Sequence, residues 1–168
     1  MADTGFKSPT ASTTGGWSTL SNCYSSNNTY ATTTSTTFIN GDVSVFAFGI
    51  PANAIIDGIE VAAEFSAQAA GIVATIQLSL SDNGGSSYTA TKSDTVTGTT
   101  DTTRTYGGPT DLWGAGSFSE YGTQDGNFYV KVEGKTGSFG LQCRLDHLQV
   151  KIYYHEGGNN MFFLLMDN

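Results

Sequence analysis

Val45-Phe46-Ala47-Phe48-Gly49-Ile50-Pro51-Ala52-Asn53-Ala54-Ile55-Ile56-Asp57-Gly58-Ile59-Glu60-Val61 is the stretch around which this chain is organised. Phe46, Phe48 and Ile50 alternate with small residues, the period of a strand that rests one face on a core. Pro51 has no backbone N–H to give a ladder, so the strand is expected to stop there. The chain then bends through Ala52-Asn53-Ala54 and resumes as a second strand over 56–68, with Gly58 near its start. Two strands meeting at a proline corner hold a large share of the big aliphatic side chains.

Further strands follow outward from that corner. Tyr30 to Phe38 is Thr-rich and precedes Asn40-Gly41, a tight-turn dipeptide, which predicts a hairpin into a strand from Asp42 to Gly49. Ile72 to Ser81 alternates through Ile72, Ala74, Ile76, Leu78 and Leu80. Tyr88 to Thr95, Thr99 to Tyr106 and Phe128 to Glu133 read as strands too. Phe139, Leu141 and Cys143 fall on odd numbers, whereas Leu148, Val150, Ile152 and Tyr154 fall on even ones. A strand repeats every two residues, so this slip of phase needs one extra residue and predicts a β-bulge at Asp146-His147. About eight strands with turn signals between them and no helical period predict an all-β fold, an antiparallel sandwich of jelly-roll type.

Three segments lie outside the strands. Ser81-Asp82-Asn83-Gly84-Gly85-Ser86-Ser87-Tyr88 resembles the Asp-box hairpin, Ser-x-Asp-x-Gly-x-Ser/Thr-aromatic, with Asn83 where that pattern has Asp. It reads as a self-bonded turn, with positive φ at Gly85 and Tyr88 packed beneath. Pro109 to Gly126 is an irregular excursion whose Leu112, Trp113, Phe118 and Tyr121 are expected to plug one end of the sandwich. At the ends, residues 1–16 form an arm too poor in apolar side chains to order itself, with Phe6 its one large apolar group. Residues 17–156 form the sandwich. Residues 157–168 form a Gly157-Gly158-Asn159-Asn160 spacer and the apolar run Met161-Phe162-Phe163-Leu164-Leu165-Met166. Such a run is a liability unless covered, so Phe6 and Met161 to Met166 are the candidate partner-binding residues.

Composition narrows the function classes. The 168 residues carry seven Lys and Arg against fifteen Asp and Glu, a net charge of −8. Seven scattered cations cannot neutralise a phosphate track, so nucleic acid is not an expected partner. No apolar run approaches the ~20 residues of a spanning helix, and no membrane partner is expected. Met1 to Gly5 shows neither the basic nor the apolar region of a secretory signal, so maturation in a cytoplasm is expected, with Cys23 and Cys143 as free thiols. Catalytic groups are sparse. His147 and His155 are the two histidines, no Gly-x-Ser-x-Gly elbow occurs, and Glu60 and Glu64 read as the solvated face of a strand. Asp and Asn cluster in turns without a calcium-loop spacing. No catalytic, cofactor or metal residues are assigned, and no enzyme is expected.

One succession of motifs resembles a known group. It runs Gly5-Phe6-Lys7-Ser8-Pro9, Gly16-Trp17, Tyr30-Ala31-Thr32, Phe48-Gly49-Ile50-Pro51 and Ile56-Asp57-Gly58-Ile59-Glu60-Val61. It continues through Asp111-Leu112-Trp113-Gly114 to Leu145-Asp146-His147-Leu148-Gln149-Val150-Lys151-Ile152-Tyr153-Tyr154. From Phe6 to Tyr154 this resembles tailed-bacteriophage and prophage virion structural proteins. The resemblance implies a β-sandwich on the virion and supplies no catalytic residue.

The expectation it sets is a capsid decoration or cement protein, made in the host cytoplasm and located in the virion. It would form a homo-oligomer such as a trimer and bind the major capsid protein or tail components through arm and tail. The alternative is a tail-fibre or tail-tip module for carbohydrate or receptor binding in host attachment, with Tyr106, Trp113 and Tyr121 as an aromatic platform. Exposure of those rings separates the two.

Overall fold

Thr, Val, Ile and aromatic residues in period-two order fit a pleated half-buried surface, and they build strands throughout. The computed structural model describes residues 1–119, 123 and 126–157. Its strands are β1 (Ala2–Asp3), β2 (Ala11–Thr13), β3 (Ala31–Thr33), β4 (Ile39–Ser44) and β5 (Ala54–Ala67). They continue with β6 (Val73–Ser81), β7 (Lys92–Thr97), β8 (Thr102–Gly107), β9 (Tyr129–Thr136) and β10 (Cys143–Glu156). A 3₁₀ turn, Leu20–Cys23, caps the core.

The strands form two antiparallel sheets, β3-β10-β5-β8 and β4-β9-β6-β7, with β1 added along β10 and β2 along β4. The pairs β6–β7, β5–β8, β4–β9 and β3–β10 nest inside one another, as if one long hairpin had been rolled across both sheets. That is the jelly roll. Only β6 and β7 are both consecutive in the chain and paired, so nearly every connection crosses from one sheet to the other.

The inward positions of both sheets make one core. Ala74, Ile76, Leu78 and Leu80 of β6 are fully buried, as are Ile59, Val61, Ala63 and Phe65 of β5. The expected bulge is present. Leu145 pairs with Phe65 and His147 with Glu64, leaving Asp146 as the extra residue. Leu145 and Leu148, on opposite phases, both end with zero exposure.

Four expectations are corrected. Residues 45–51 are not a strand: Val45, Ala47 and Gly49 take left-handed φ of 61°, 50° and 66°. Alternating left-handed residues break the ladder but turn both aromatic rings inward. Phe46 and Phe48 stack at 5.2 Å and meet Phe128 edge-on at 5.8 and 5.4 Å. A left-handed Val costs roughly 1–2 kcal/mol, which burial of two aromatic rings exceeds. The corner itself stands, with Ala54 N–H on the Pro51 carbonyl and Asn53 at φ 65°.

Asn40-Gly41 is not a hairpin turn. Both residues lie inside β4, and β3 belongs to the other sheet. Gly41 is required by space: a Cβ there would sit 2.7 Å from Leu20 Cδ2 and 2.9 Å from the Thr13 carbonyl oxygen. The arm is not left for a neighbour to order. Ala2 and Asp3 pair with Tyr154 and Tyr153, Lys7 bridges Val150, and Ala11 to Thr13 pair with Ser44 to Asp42. Those ladder bonds to both sheets offset an ordering cost its side chains could not. Finally, Phe139 is not on a buried strand face but in the loop before β10, 91% exposed.

Candidate functional site

The connections 45–53 and 82–91 and the described residues of 108–128 converge on one end of the sandwich. Phe46, Phe48 and Phe118 gather around Phe128, Gly84 N–H donates to the Asn127 carbonyl at 2.9 Å, and Ala90 N–H to the Trp113 carbonyl at 3.1 Å. Trp113 locks this end. Its backbone N–H donates to Asp111 Oδ1 at 2.7 Å and its indole N–H to the Ile59 carbonyl at 2.9 Å. Gly107 is bare beneath the indole, because a Cβ there would lie 2.6 Å from Trp113 Nε1. Lys92 bonds Asp111 at 2.8 Å, and that bond, with the Trp113 amide, holds the Asp111 carboxyl below its ordinary range.

The Asp-box-like hairpin stands beside this plug and satisfies itself. Ser81 Oγ donates to Asn83 Oδ1 at 2.8 Å and accepts the Gly85 N–H at 3.0 Å. Asn83 Oδ1 also accepts the Ser87 N–H at 3.0 Å, while its amide donates to Ser87 Oγ at 2.7 Å. Gly84 and Gly85 supply φ of 68° and 81°, so Asn83 does the work of the expected Asp. The Tyr88 hydroxyl donates to Asp42 Oδ1 at 2.7 Å, and Lys131 Nζ lies 4.4 Å from its ring centre. Burial, then the Asp42 bond, raises the Tyr88 phenol above its ordinary pKa.

Between hairpin and excursion lies an open cleft of about 260 Å³. Asp82, Ser87, Tyr88 and Thr89 line one wall, Gly114, Ala115 and Phe118 the other, with Leu80 at the base. A carboxylate and three hydroxyls, that of Tyr88 already bonded to Asp42, above an apolar base suit a small polyhydroxylated ligand, with acceptors and donors for hydroxyls and a dry floor for a carbon skeleton.

The residues singled out from sequence fall elsewhere. Trp113 is 1% and Tyr106 6% exposed, so these two rings offer no platform; both are core, and for Trp113 that is the end-plug expectation. Burial raises the Tyr106 phenol. Tyr121 lies outside the described residues, as do Met161, Phe162, Phe163, Leu164, Leu165 and Met166. Phe6 remains on the surface, 38% exposed, with Lys151 Nζ 4.4 Å from its ring centre. Glu60 and Glu64 do share the outer face of β5; Glu60 bonds Lys151 at 3.0 Å and accepts from the Tyr153 hydroxyl. His155 pairs with Asp57 at 2.8 Å. His147 Nε2 meets Ser8 Oγ at 2.9 Å, beside a second depression of about 160 Å³. Cys23 and Cys143 are free, their thiols pushed up to about 12 by burial. Among the described residues no cluster of His, Cys, Asp or Glu is placed to hold a metal.

Sequence reading missed Ser87 and Thr89 as cleft residues. The Asp-box likeness marked the hairpin, but which of its hydroxyls face a cleft depends on the excursion opposite.

No family model matches the chain, and no curated protein matches it in sequence. Two of the solved structures that share its fold are instructive. One is a truncated AlyQ with CBM32 and alginate lyase domains, at TM-score 0.56 and 14% identity over 93% of this chain. The chain spans about a third, 34%, of that structure. The other is the CBM32 of AlyQ in complex with 4,5-unsaturated mannuronic acid, at TM-score 0.51 and 16% identity, over 86% of this chain and 96% of that one. At these identities the likeness is one of fold alone, an antiparallel β-sandwich.

Proposed function

We propose that this chain is a non-enzymatic carbohydrate-binding module that seats a saccharide in the loop-end cleft between the 82–91 hairpin and the 108–128 excursion. The observation that carries this reading is the cleft itself: Asp82, Ser87 and Thr89 above Leu80 and Phe118, on a rigid plug of buried aromatics. The shared sandwich with a saccharide-bound module supports it. A binding module gains from a pre-formed site, since little ordering then opposes the ligand.

The resemblance of the motif succession to phage virion proteins suggests the setting, a host-attachment module at a tail fibre or tip. A capsid decoration subunit draws on the same resemblance. The module reading is preferred because the arm, the segment expected to reach a neighbour, is bound along the chain's own β10 and β4. Catalysis is not proposed. Ser8 and His147 touch, but among the described residues no carboxylate accepts a hydrogen bond from the other imidazole nitrogen, so a triad is incomplete.

The test is a glycan-array screen of the purified chain and its Asp82→Ala variant, followed by titration calorimetry on any hit. A saccharide should bind saturably, and the variant should lose about tenfold or more in affinity, the worth of a charge-assisted hydrogen bond. No binding to any glycan, host surface polysaccharides included, sinks the reading. Immunogold imaging of the particle places the chain on fibre or shell.

A further inference from the structure

On the outer face of β10-β5-β8, Ala62 sits between Gln149 on one side and Thr105 on the other, and the next row places Glu64 between His147 and Thr103. The methyl group of Ala62 is short among longer neighbours, so the sheet face dips there into the depression of about 160 Å³. Its lining is Ala62, Glu64, Thr103, His147 and Gln149.

The row on one side of this dip is internally satisfied, and the other is satisfied except at Ser66 Oγ and Asp101 Oδ1, which are buried without a partner. Glu60, Lys151 and Tyr153 bond one another in one direction. In the other, Arg144 bonds Gln142 and lies over Tyr30, whose hydroxyl donates to Asp101. Within the dip, by contrast, the side chains of Glu64, Thr103 and Gln149 make no hydrogen bond to any described residue. Glu64 and Gln149 are half-buried all the same. Polar side chains gathered in a depression with no protein partner leave their donors and acceptors open to a ligand.

We propose that this depression is a second binding site, separate from the loop-end cleft, for the vicinal hydroxyl groups of a neutral sugar or polyol. The Glu64 carboxylate accepts from two adjacent hydroxyls, the Gln149 amide both donates and accepts, and Thr103 closes the exposed rim. His147 completes the wall. Burial favours its neutral form against the opposing pull of Glu64 and Asp146, and Ser8 of the arm fixes its ring through Nε2. The neutral ring keeps Glu64 free for the ligand. The arm thus acts as a positioning element for this wall. The bulge at Asp146 is what sets His147 opposite Glu64.

The experiment is an ¹⁵N-HSQC titration of the full chain with D-galactose, D-mannose and, separately, methylammonium chloride. The expected result is saturable shifts of the Glu64, Thr103 and Gln149 amides and the Gln149 side-chain amide with at least one sugar. Ala62→Leu, which fills the dip while the fold is checked by the same spectrum, should abolish those shifts. Glu64→Gln should weaken binding by about tenfold or more. Shifts confined to the 82–91 hairpin overturn this second site while leaving the proposed function standing; shifts confined to the dip do the reverse. Response to methylammonium but to neither sugar overturns the hydroxyl assignment in favour of a cation site. Silence with all three probes overturns the proposal.

Discussion

Replacing Gly134 by Ala is a one-atom test of how this core is assembled. Gly134 lies inside β9, paired to Ile39 and to Ile76, where glycine is the weaker strand residue. Backbone entropy alone predicts that Ala stabilises by about 0.5–1 kcal/mol. The packing predicts the opposite. A Cβ on Gly134 would lie 2.3 Å from Trp17 Cζ2 and 2.5 Å from Cη2. The indole has nowhere to go: it is 4% exposed, and its N–H donates to the Val132 carbonyl at 3.0 Å. Overpacking a fixed ring costs about 1–3 kcal/mol, and overlap this deep belongs at the upper end, so the clash wins. A net loss of about 2 kcal/mol lowers Tm by about 4–8 °C in a chain of this size.

The companion variant is Trp17→Phe, which removes the benzo ring and the indole bond and costs about 2–3 kcal/mol by itself. In the double variant the added methyl finds room, so the two losses should fall short of their sum by about 1–2 kcal/mol. Urea unfolding followed by far-UV circular dichroism gives all four corners of the cycle. Wild-type stability in Gly134→Ala, or strict additivity in the double variant, refutes the argument that the Trp17 ring demands a glycine there.

Two further outcomes rest on the bulge. Deleting Asp146 shifts every later residue of β10 by one and turns Leu148, Val150 and Ile152 to the solvent face, so the deletion variant should appear as inclusion bodies; a soluble, cooperatively folded product contradicts the register. His147 titrates below its ordinary 6.5 in the fold because burial disfavours its charged form, only partly opposed by Glu64 and Asp146. The unfolded chain therefore takes up the proton first, and the His147 contribution is retained above about pH 6.5 and lost as pH falls toward the lower folded value. Urea midpoints across pH 5–7.5 should slope less steeply in His147→Gln than in the wild type, and equal slopes assign the acid sensitivity elsewhere.

Local pattern was sufficient wherever one face of a strand had to be dry. The alternation in Ile72 to Ser81, the proline corner and the phase slip at Asp146-His147 each follow from a period of two and the need to bury apolar groups. The alternation and the phase slip are found in the fold, and the chain turns at Pro51 as read, although the strand expected before it is not one. The buried state of Trp113 was legible for the same reason, as a large apolar ring among glycines.

What the tertiary structure alone decided is where local signals have two solutions. Asn40-Gly41 is as good a turn as any, yet Gly41 is spent on room for Leu20 and Thr13. Phe46 and Phe48 could point inward from a strand or from alternating left-handed backbone, and Phe128, some eighty residues on, selects the second. The arm has no core of its own, but two open sheet edges accept it, and no sequence window contains those edges.

The candidate sites belong to the same category. Asp82 and Phe118, or Glu64 and Gln149, become neighbours only when connections cross between sheets and strands take their register. The proline corner at Pro51 therefore marked the entry to β5. The candidate sites came from long-range pairing, because a site is an arrangement of side chains in space and strand periodicity constrains only which face each one takes.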